Sequence, residues 1–452
     1  MNLSQITTSQ LKLITRGIRF IKKGHKQGYN VESSPFFYLN SWAHVPGYFI
    51  LKNWQIGVKS YFLNFHILIK SYFALNKLSN IDVKGGHSSE IVSYNTLFFS
   101  WCRKGNFVEQ KYYFDKYFKT SPSKTRNTIW FLISVDNYCP PKLESNVFLL
   151  RRLKGKSLGH ELLFLVSRTG KEIFRNRFNL VKVIHKLNSA TIFSDFVAKK
   201  IIEITNNNGI KNVWGPYEAQ PLHNNIFYNL KKNNPKILTK GYLHSALPPL
   251  MTDLIFRKGA PDNLYIHGEG QIEILNKYLN WPKSSLIKIK SLRYIKEDSW
   301  DMSGYIFLPY DFFNLRYYLE KFEKFLIMAE KNSLPFLKVR NHPQASNSKK
   351  HLDLAVRLEG IILRYQNRMK SENRRKISVF FGATAAILEA LEYHIEVIHI
   401  VSDAVFESHS SFLWKDINVE LIEDNVFKYR LLESRKYIDF GDNKDEILNY
   451  LD

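Results

Sequence analysis

The sequence predicts an α/β fold: two β/α domains with mainly parallel sheets facing a cleft, preceded by a mostly helical N-terminal extension. Three observations predict it. At 452 residues the chain is long enough for two such domains. Between 238 and 402, short apolar runs alternate with amphipathic stretches, the rhythm of parallel strands joined by helices. Within that span, 334–400 reads strand, loop, helix, strand, helix, strand, and both loops leave the carboxyl end of a strand, where ligands of such sheets bind. The expected boundaries are 1–80 for a basic, aromatic extension, 81–235 for the first domain and 236–452 for the second.

Composition narrows the class. Hydrophobic residues make up 44% of the chain, enough for a core in each domain. The formal net charge of +24 suits either an anionic partner or a compositional bias, because Lys, Asn, Ile, Phe and Tyr are all abundant. The lysines are spread along the chain, which argues against nucleic acid as the partner. The two cysteines, Cys102 and Cys139, form neither a metal-type pair nor a disulfide framework, so a reduced cytoplasmic setting is expected. Met1 to Thr15 is polar and lacks the apolar segment of a signal peptide. Ser60 to Leu75, the most apolar stretch, is broken by Asn64, His66 and Lys70 and reads as a buried helix rather than a membrane span.

Taken in order, Ser9 to Lys23 carries Leu11, Leu13, Ile14, Ile18, Phe20 and Ile21 among basic residues, a basic amphipathic helix that either docks on the first domain or leans on a membrane. Thr96–Trp101 reads as a strand. Thr128–Val135 is a buried parallel strand ending at Asp136. Apolar runs at 146–153 and 161–166 precede helices around 172–187 and 192–207. The brief strand Lys211–Trp214 leads through Gly215-Pro216-Tyr217-Glu218-Ala219-Gln220-Pro221 into a helix ending near Lys232. Further strands lead to His244-Ser245, to His267 with a helix over 271–280, to Ser291–Tyr294, and to Pro309 with a helix from Asp311. Next come the strand Pro335–Val339, a long helix, the strand Ile377–Phe381, a helix opened by Gly382–Ala386, and the strand Val397–Ile400. A final helix is expected over 444–451.

Several residues carry candidate chemistry. Gly382 and Thr384 open a helix, where free N–H groups and a hydroxyl suit a phosphate; a plain helix cap is the competing reading. Pro343 restricts the backbone of His342 and so aims its imidazole, which suits it to hydrogen-bond a leaving phosphate. Arg340 lies just upstream. Glu218 and Asp136 each follow a strand and are candidate bases; a solvated carboxylate is the alternative for both. His244, Ser245 and His267 follow strands, and Arg293 is placed to meet a phosphate or a carboxylate. The chain lacks P-loop, dinucleotide-fingerprint, zincin, nucleophile-elbow and structural-zinc patterns, and has no Asp-x-Asp. A metal-independent reaction is therefore expected.

As an ordered set, Trp214–Pro221, Gly241–Ser245, Ala260–Asp262, Ser291–Tyr294, Lys338–Pro343 and Gly382–Ala390 resemble glycosyltransferases of the GT-B type, built from two Rossmann-like domains, and among them bacterial proteins of capsule or lipopolysaccharide biosynthesis. The His-Pro pair followed by a small-residue Thr turn is similar to bacterial sialyltransferases and Kdo transferases, which use CMP-activated ulosonic acids. That resemblance implies that His342 and Thr384 grip the donor phosphate, with Arg293, Arg340, Gly382, Glu389, His244, Ser245 and His267 around the donor. It implies Glu218 as the base, although the chain lacks an Asp/Glu-Asp/Glu-Gly motif before it. The expected partners are a nucleotide sugar, CMP-linked by the same resemblance, with no separate cofactor, and a glycan or glycolipid acceptor. Contact with the anionic inner face of the plasma membrane is expected, and no nucleic acid. Two alternatives stand beside this: a transferase using a UDP- or GDP-sugar or a polyol phosphate, and a non-catalytic basic protein binding nucleic acid or membrane.

Overall fold

The computed structural model describes the chain except for residues 42–44, 58–80, 86–93, 126, 153–157, 176–178, 297–301, 311, 313, 332, 343–344, 346–347, 371–374, 433–435, 443–445 and 451–452. The Ser60–Leu75 stretch and Pro343 thus lie outside the described residues.

The first sheet has eight strands. They are β1 (Ile81–Gly85), β2 (Thr96–Cys102), β3 (Thr128–Ser134), β4 (Val147–Arg152), β5 (Asn212–Pro216), β6 (Leu238–Tyr242), β7 (Asn263–Ile266) and β8 (Leu286–Lys288). Their spatial order is β1-β4-β3-β2-β5-β6-β7-β8. Only the β1–β4 pair is antiparallel. Strands β2 and β3 are nearly continuous apolar runs because both faces are covered: Phe98, Trp130 and Leu132 enter one core, and Leu97, Phe99 and Phe131 the other. Chain order runs outward in opposite directions from β2 and β5, so a topological switch point lies between them.

The second sheet has six strands: β9 (Tyr305–Phe307), β10 (Lys338–Arg340), β11 (Ile377–Phe381), β12 (Glu396–Ile400), β13 (Ile417–Glu423) and β14 (Val426–Leu431). Its order is β10-β9-β11-β12-β14-β13, parallel through β12 and closed by an antiparallel hairpin. Here the switch point falls between β9 and β11.

The α/β class and the two β/α layers are as the sequence predicts. The expected division at 235/236 is not where the sheet changes: β6, β7 and β8 hydrogen-bond into the first sheet, and the change comes between Lys288 and Tyr305. An unbroken strand–helix rhythm runs across that junction, and periodicity says nothing about which sheet a strand joins. Other differences are local. Leu334–Pro335 pairs with Met369–Lys370 as a separate ribbon, and only Lys338–Arg340 joins the sheet. Residues 161–166 are helical, within α3 (Leu158–Arg175), and the C-terminal turn Glu446–Tyr450 is a 3-10 helix.

Helix α1 (Leu3–Lys26) starts at a capping box, where Asn2 accepts from the Gln5 N–H and the Gln5 side chain from the Asn2 N–H. Its inward face is Ile6, Gln10, Leu13, Ile14, Gly17, Ile21 and Gly24, the spacing of one helical stripe. Each large apolar member contributes roughly 1.5–3 kcal/mol by burial. Gln10 donates to the carbonyls of Val405 and Ser408 at 3.0 and 2.8 Å, so α1 also clasps the second β/α layer. Of the two roles open to this helix, docking is the one observed. The chain end returns as well: Ser291 and Gly270 donate backbone bonds to Asp439 and Lys436, and Ile447 is buried against the first sheet. Among the described residues, no helix is long and apolar enough to cross a membrane.

Candidate active site

Strand β5 ends at Pro216 and turns sharply into α6 (Pro221–Asn233), which Pro221 opens at its first turn. The turn places Ala219 in the left-handed region, φ 50°, which costs a non-glycine residue on the order of 1 kcal/mol. Buried Asn224 holds it there: its amide donates to the Ala219 carbonyl at 2.6 Å, and its oxygen accepts from the Tyr217 hydroxyl at 2.8 Å. The Glu218 N–H donates to His223 Nδ1 at 3.2 Å. Glu218 is thereby fixed at the first switch point. Its Oε1 lies 3.2 Å from His244 Nε2, and its Oε2 accepts from the Gln220 amide at 2.8 Å.

The Glu218 side chain is 32% exposed. Burial of the carboxyl raises its pKa, and His223, Arg293, Gln220 and Ser245 offset part of that rise. Burial takes His244 down to about 3, with Arg293 adding to the effect, so this imidazole is neutral at pH 7. The His244–Glu218 contact is then one between a neutral ring and a carboxyl group rather than an ion pair. His244 also meets the Tyr117 ring edge-on, with centroids 4.6 Å apart.

Arg293 sits on the connector between the sheets. The Ser291 hydroxyl anchors that connector, accepting from the N–H groups of Arg293 and Tyr294 at 3.2 and 2.9 Å. Arg293 Nη1 donates to Ser245 Oγ at 2.7 Å, and the guanidinium lies 5.2 Å from the Tyr294 ring centre. Its charge depresses the pKa of His244 and also that of His342 on the second layer. The charge of Arg293 is thus felt at a histidine beyond each sheet. A cavity of about 700 Å3 opens beside Arg293, lined among others by Arg103, Lys116, Tyr117, Gln220 and His244.

At the second switch point, β11 runs into Gly382, whose φ of 60° favours glycine. This loop is held from below: the Gly382 N–H donates to the Ile400 carbonyl, and His399 Nε2 donates to the Gly382 carbonyl at 2.7 Å. Buried His399 is neutral, its pKa lowered to about 4 by burial. Thr384 Oγ1 accepts from the Ala386 N–H at 3.3 Å, which leaves its own O–H as a donor. The helix that follows, Ala386–Glu392, has seven residues. Glu389 lies in its first turn, and its charge raises the pKa of Tyr294 on the connector.

His342 follows β10 and meets the Tyr310 ring edge-on, centroids 5.4 Å apart. Burial, then His351 and Arg293, hold its pKa below the usual histidine value, so it offers a neutral N–H at pH 7. The Arg340 guanidinium lies 5.5 Å from the centre of the Phe307 ring.

The structure thus brings Glu218, His244, Ser245 and Arg293 together at the first switch point. Gly382, Thr384, Glu389, His342 and Arg340 gather at or beside the second. His267 is 0% exposed and meets the rings of Tyr294 and Tyr242 edge-on. Asp136 accepts from the Lys104 and Tyr138 N–H groups at 2.8 and 3.2 Å, a local turn cap. Sequence reasoning missed Arg103, Lys116 and Tyr117 in the cavity wall, and His223 and His399 behind the two loops. The Arg103-Lys104-Gly105 break after an apolar strand was the available signal. Among the described residues, no three His, Cys, Asp or Glu side chains group as metal ligands.

No model of a known protein family matches the chain, and no curated protein matches it. Among solved structures, the chain is similar to UDP-GlcNAc 2-epimerase from Neisseria meningitidis bound to UDP-GlcNAc, at 8% identity and a TM-score of 0.34, over 71% of this chain and 90% of that one. It is also similar to a trehalose-6-phosphate synthase, at 11% identity and a TM-score of 0.32, over 69% of this chain and 84% of that one.

Proposed function

We propose that this protein is a GT-B-type glycosyltransferase that binds a nucleotide sugar at the second switch point and an acceptor at the first. The observation that carries the reading is the grouping of Glu218, His244, Ser245 and Arg293 at the first switch point, with the Gly382–Thr384 turn and His342 at the carboxyl ends of the second sheet. Glu218 takes the proton of the acceptor hydroxyl. The hydroxyl oxygen forms its bond to the anomeric carbon as the bond from that carbon to the donor phosphate oxygen breaks, and the electron pair leaves with the phosphate. His342 N–H, the Thr384 hydroxyl and Arg293 stabilise that developing charge, and positioning supplies much of the rest of the rate. A base with a raised pKa is better matched to neutral pH than an ordinary glutamate.

The donor is a CMP-linked ulosonic acid and the product a bacterial surface glycan or glycolipid. The His342-Pro343 and Gly382–Ala386 resemblance to sialyl- and Kdo transferases supports this finer reading. Work on a lipid-borne acceptor would place the protein at the cytoplasmic face of the inner membrane. The test is slow donor hydrolysis without acceptor. CMP released from CMP-sialic acid or CMP-Kdo above the uncatalysed rate, and lost in His342→Ala, is expected. Turnover of UDP- or GDP-sugars instead would overturn the CMP assignment.

A further inference from the structure

The cavity at the first switch point has a charge that transfer to a plain hydroxyl does not require. Among the described residues its lining includes Arg103, Lys116, Lys119 and Arg293 and no Asp or Glu, with Glu218 against the lining residues His244 and Gln220. Like charges gathered around one concave surface raise the local concentration of an ion of opposite sign. The basic wall is also built rather than incidental. Buried Asp115 accepts from the N–H groups of Tyr117 and Phe118 at 2.8 and 2.7 Å, and its own N–H donates to the Thr120 carbonyl at 2.8 Å. This closes the 115–120 loop, with Lys119 at φ 53°, and sets Lys116 on the exposed rim. Burial raises the pKa of Asp115, and its hydrogen bonds from Tyr113, Tyr117 and Phe118 offset part of that rise. Arg103 stands where β2 ends, at the switch point itself; burial, then Glu218 and Asp115, raise the Tyr117 hydroxyl to about 12, and Arg103 and Arg293 offset part of that rise. Tyr117, Gln220 and the His244 ring supply the flat and amide surfaces that suit a sugar ring.

We infer that the acceptor is an anionic sugar, whose carboxylate or phosphate sits among Arg103, Lys116 and Arg293 while its hydroxyl meets Glu218. This rests on the transferase reading, in which the first switch point takes the acceptor. The experiment is a calorimetric titration of the full chain with glucuronic acid, galactose 6-phosphate, inorganic phosphate and neutral galactose, at 50 and 300 mM salt. The thermal shift with CMP is measured on the same preparations. Binding of glucuronic acid or galactose 6-phosphate at least tenfold tighter than galactose is expected, weakened by salt and again about tenfold in Arg103→Gln/Lys116→Gln. Whichever of the two binds tighter identifies the group as carboxylate or phosphate. Galactose binding as tightly as the anionic sugars, or unchanged binding in the double variant, overturns the inference. Inorganic phosphate binding as tightly as galactose 6-phosphate, with glucuronic acid silent, overturns it too, because the cavity would then read the ion and not the sugar. The CMP shift separates the two failures: a shift without anionic-sugar binding removes this inference alone, and anionic-sugar binding without a shift removes the donor reading alone. Both side chains are exposed, so the double variant is expected to melt with the wild type.

Discussion

His244 Nε2 lies 3.2 Å from Glu218 Oε1, and with its pKa near 3 the imidazole is neutral beside that carboxyl group. The ring packs against Glu218 without neutralising it, and Gln220 and His223 hold the residue in place. Glu218→Gln keeps the shape and the Gln220 contact but removes the base. A loss of roughly 10²- to 10⁴-fold in kcat is expected, with an unchanged melting temperature. In the wild type, the acid limb of the rate profile should lie above the ordinary glutamate value, because burial raises the Glu218 pKa.

Arg293 acts on both crevices through its charge. In Arg293→Gln, the pKa values of His342 and His244 should both rise, since the cation lowers each in the wild type. Histidine ring resonances followed through a pH titration would show this. Unmoved His342 resonances would separate the two crevices.

The Ala219 turn depends on one amide. Asn224→Ala leaves the Tyr217 hydroxyl and the Ala219 carbonyl without their partner in a buried setting. A loss of about 2–3 kcal/mol is expected from urea unfolding, together with weakened catalysis as Glu218 loses its place.

Six buried histidines shape the response to acid. His185, His223 and His399 are depressed to about 4, His244 and His267 to about 3, and His409 is lowered as well, all by burial first. Below the unfolded value of about 6.5 the unfolded chain takes up protons that the native one refuses. Stability should therefore be full above that value and fall as the pH drops towards 4, by up to about 1.4 kcal/mol per pH unit for each histidine. Melting temperatures measured from pH 8 to 4.5 would show a flat region and then a decline.

The strands were legible where burial on both faces makes them continuous apolar runs, as in β2, β3 and β11. The placement of Glu218, His342 and Thr384 just beyond strands was legible because each follows a short strand by a few residues. The allocation of β6 to β8 to the first sheet was not, because pairing partners leave no mark in a strand's own period. The cavity wall was hidden for a related reason: Arg103 becomes a crevice residue only once β2 is known to stand beside β5. His267 has the same position after its strand as His244, yet it is fully buried against the Tyr294 ring, and depth beneath a distant loop cannot be read from local sequence.

The most direct test of the central claim is a thermal-shift titration with CMP, CDP, UDP and GDP on wild type, His342→Ala and Thr384→Ala, since a ligand of the native state raises the melting temperature by mass action. The account predicts a saturable rise with CMP that both variants reduce. No rise with any of the four nucleotides, or a rise that both variants leave intact, would contradict a donor site at the second switch point.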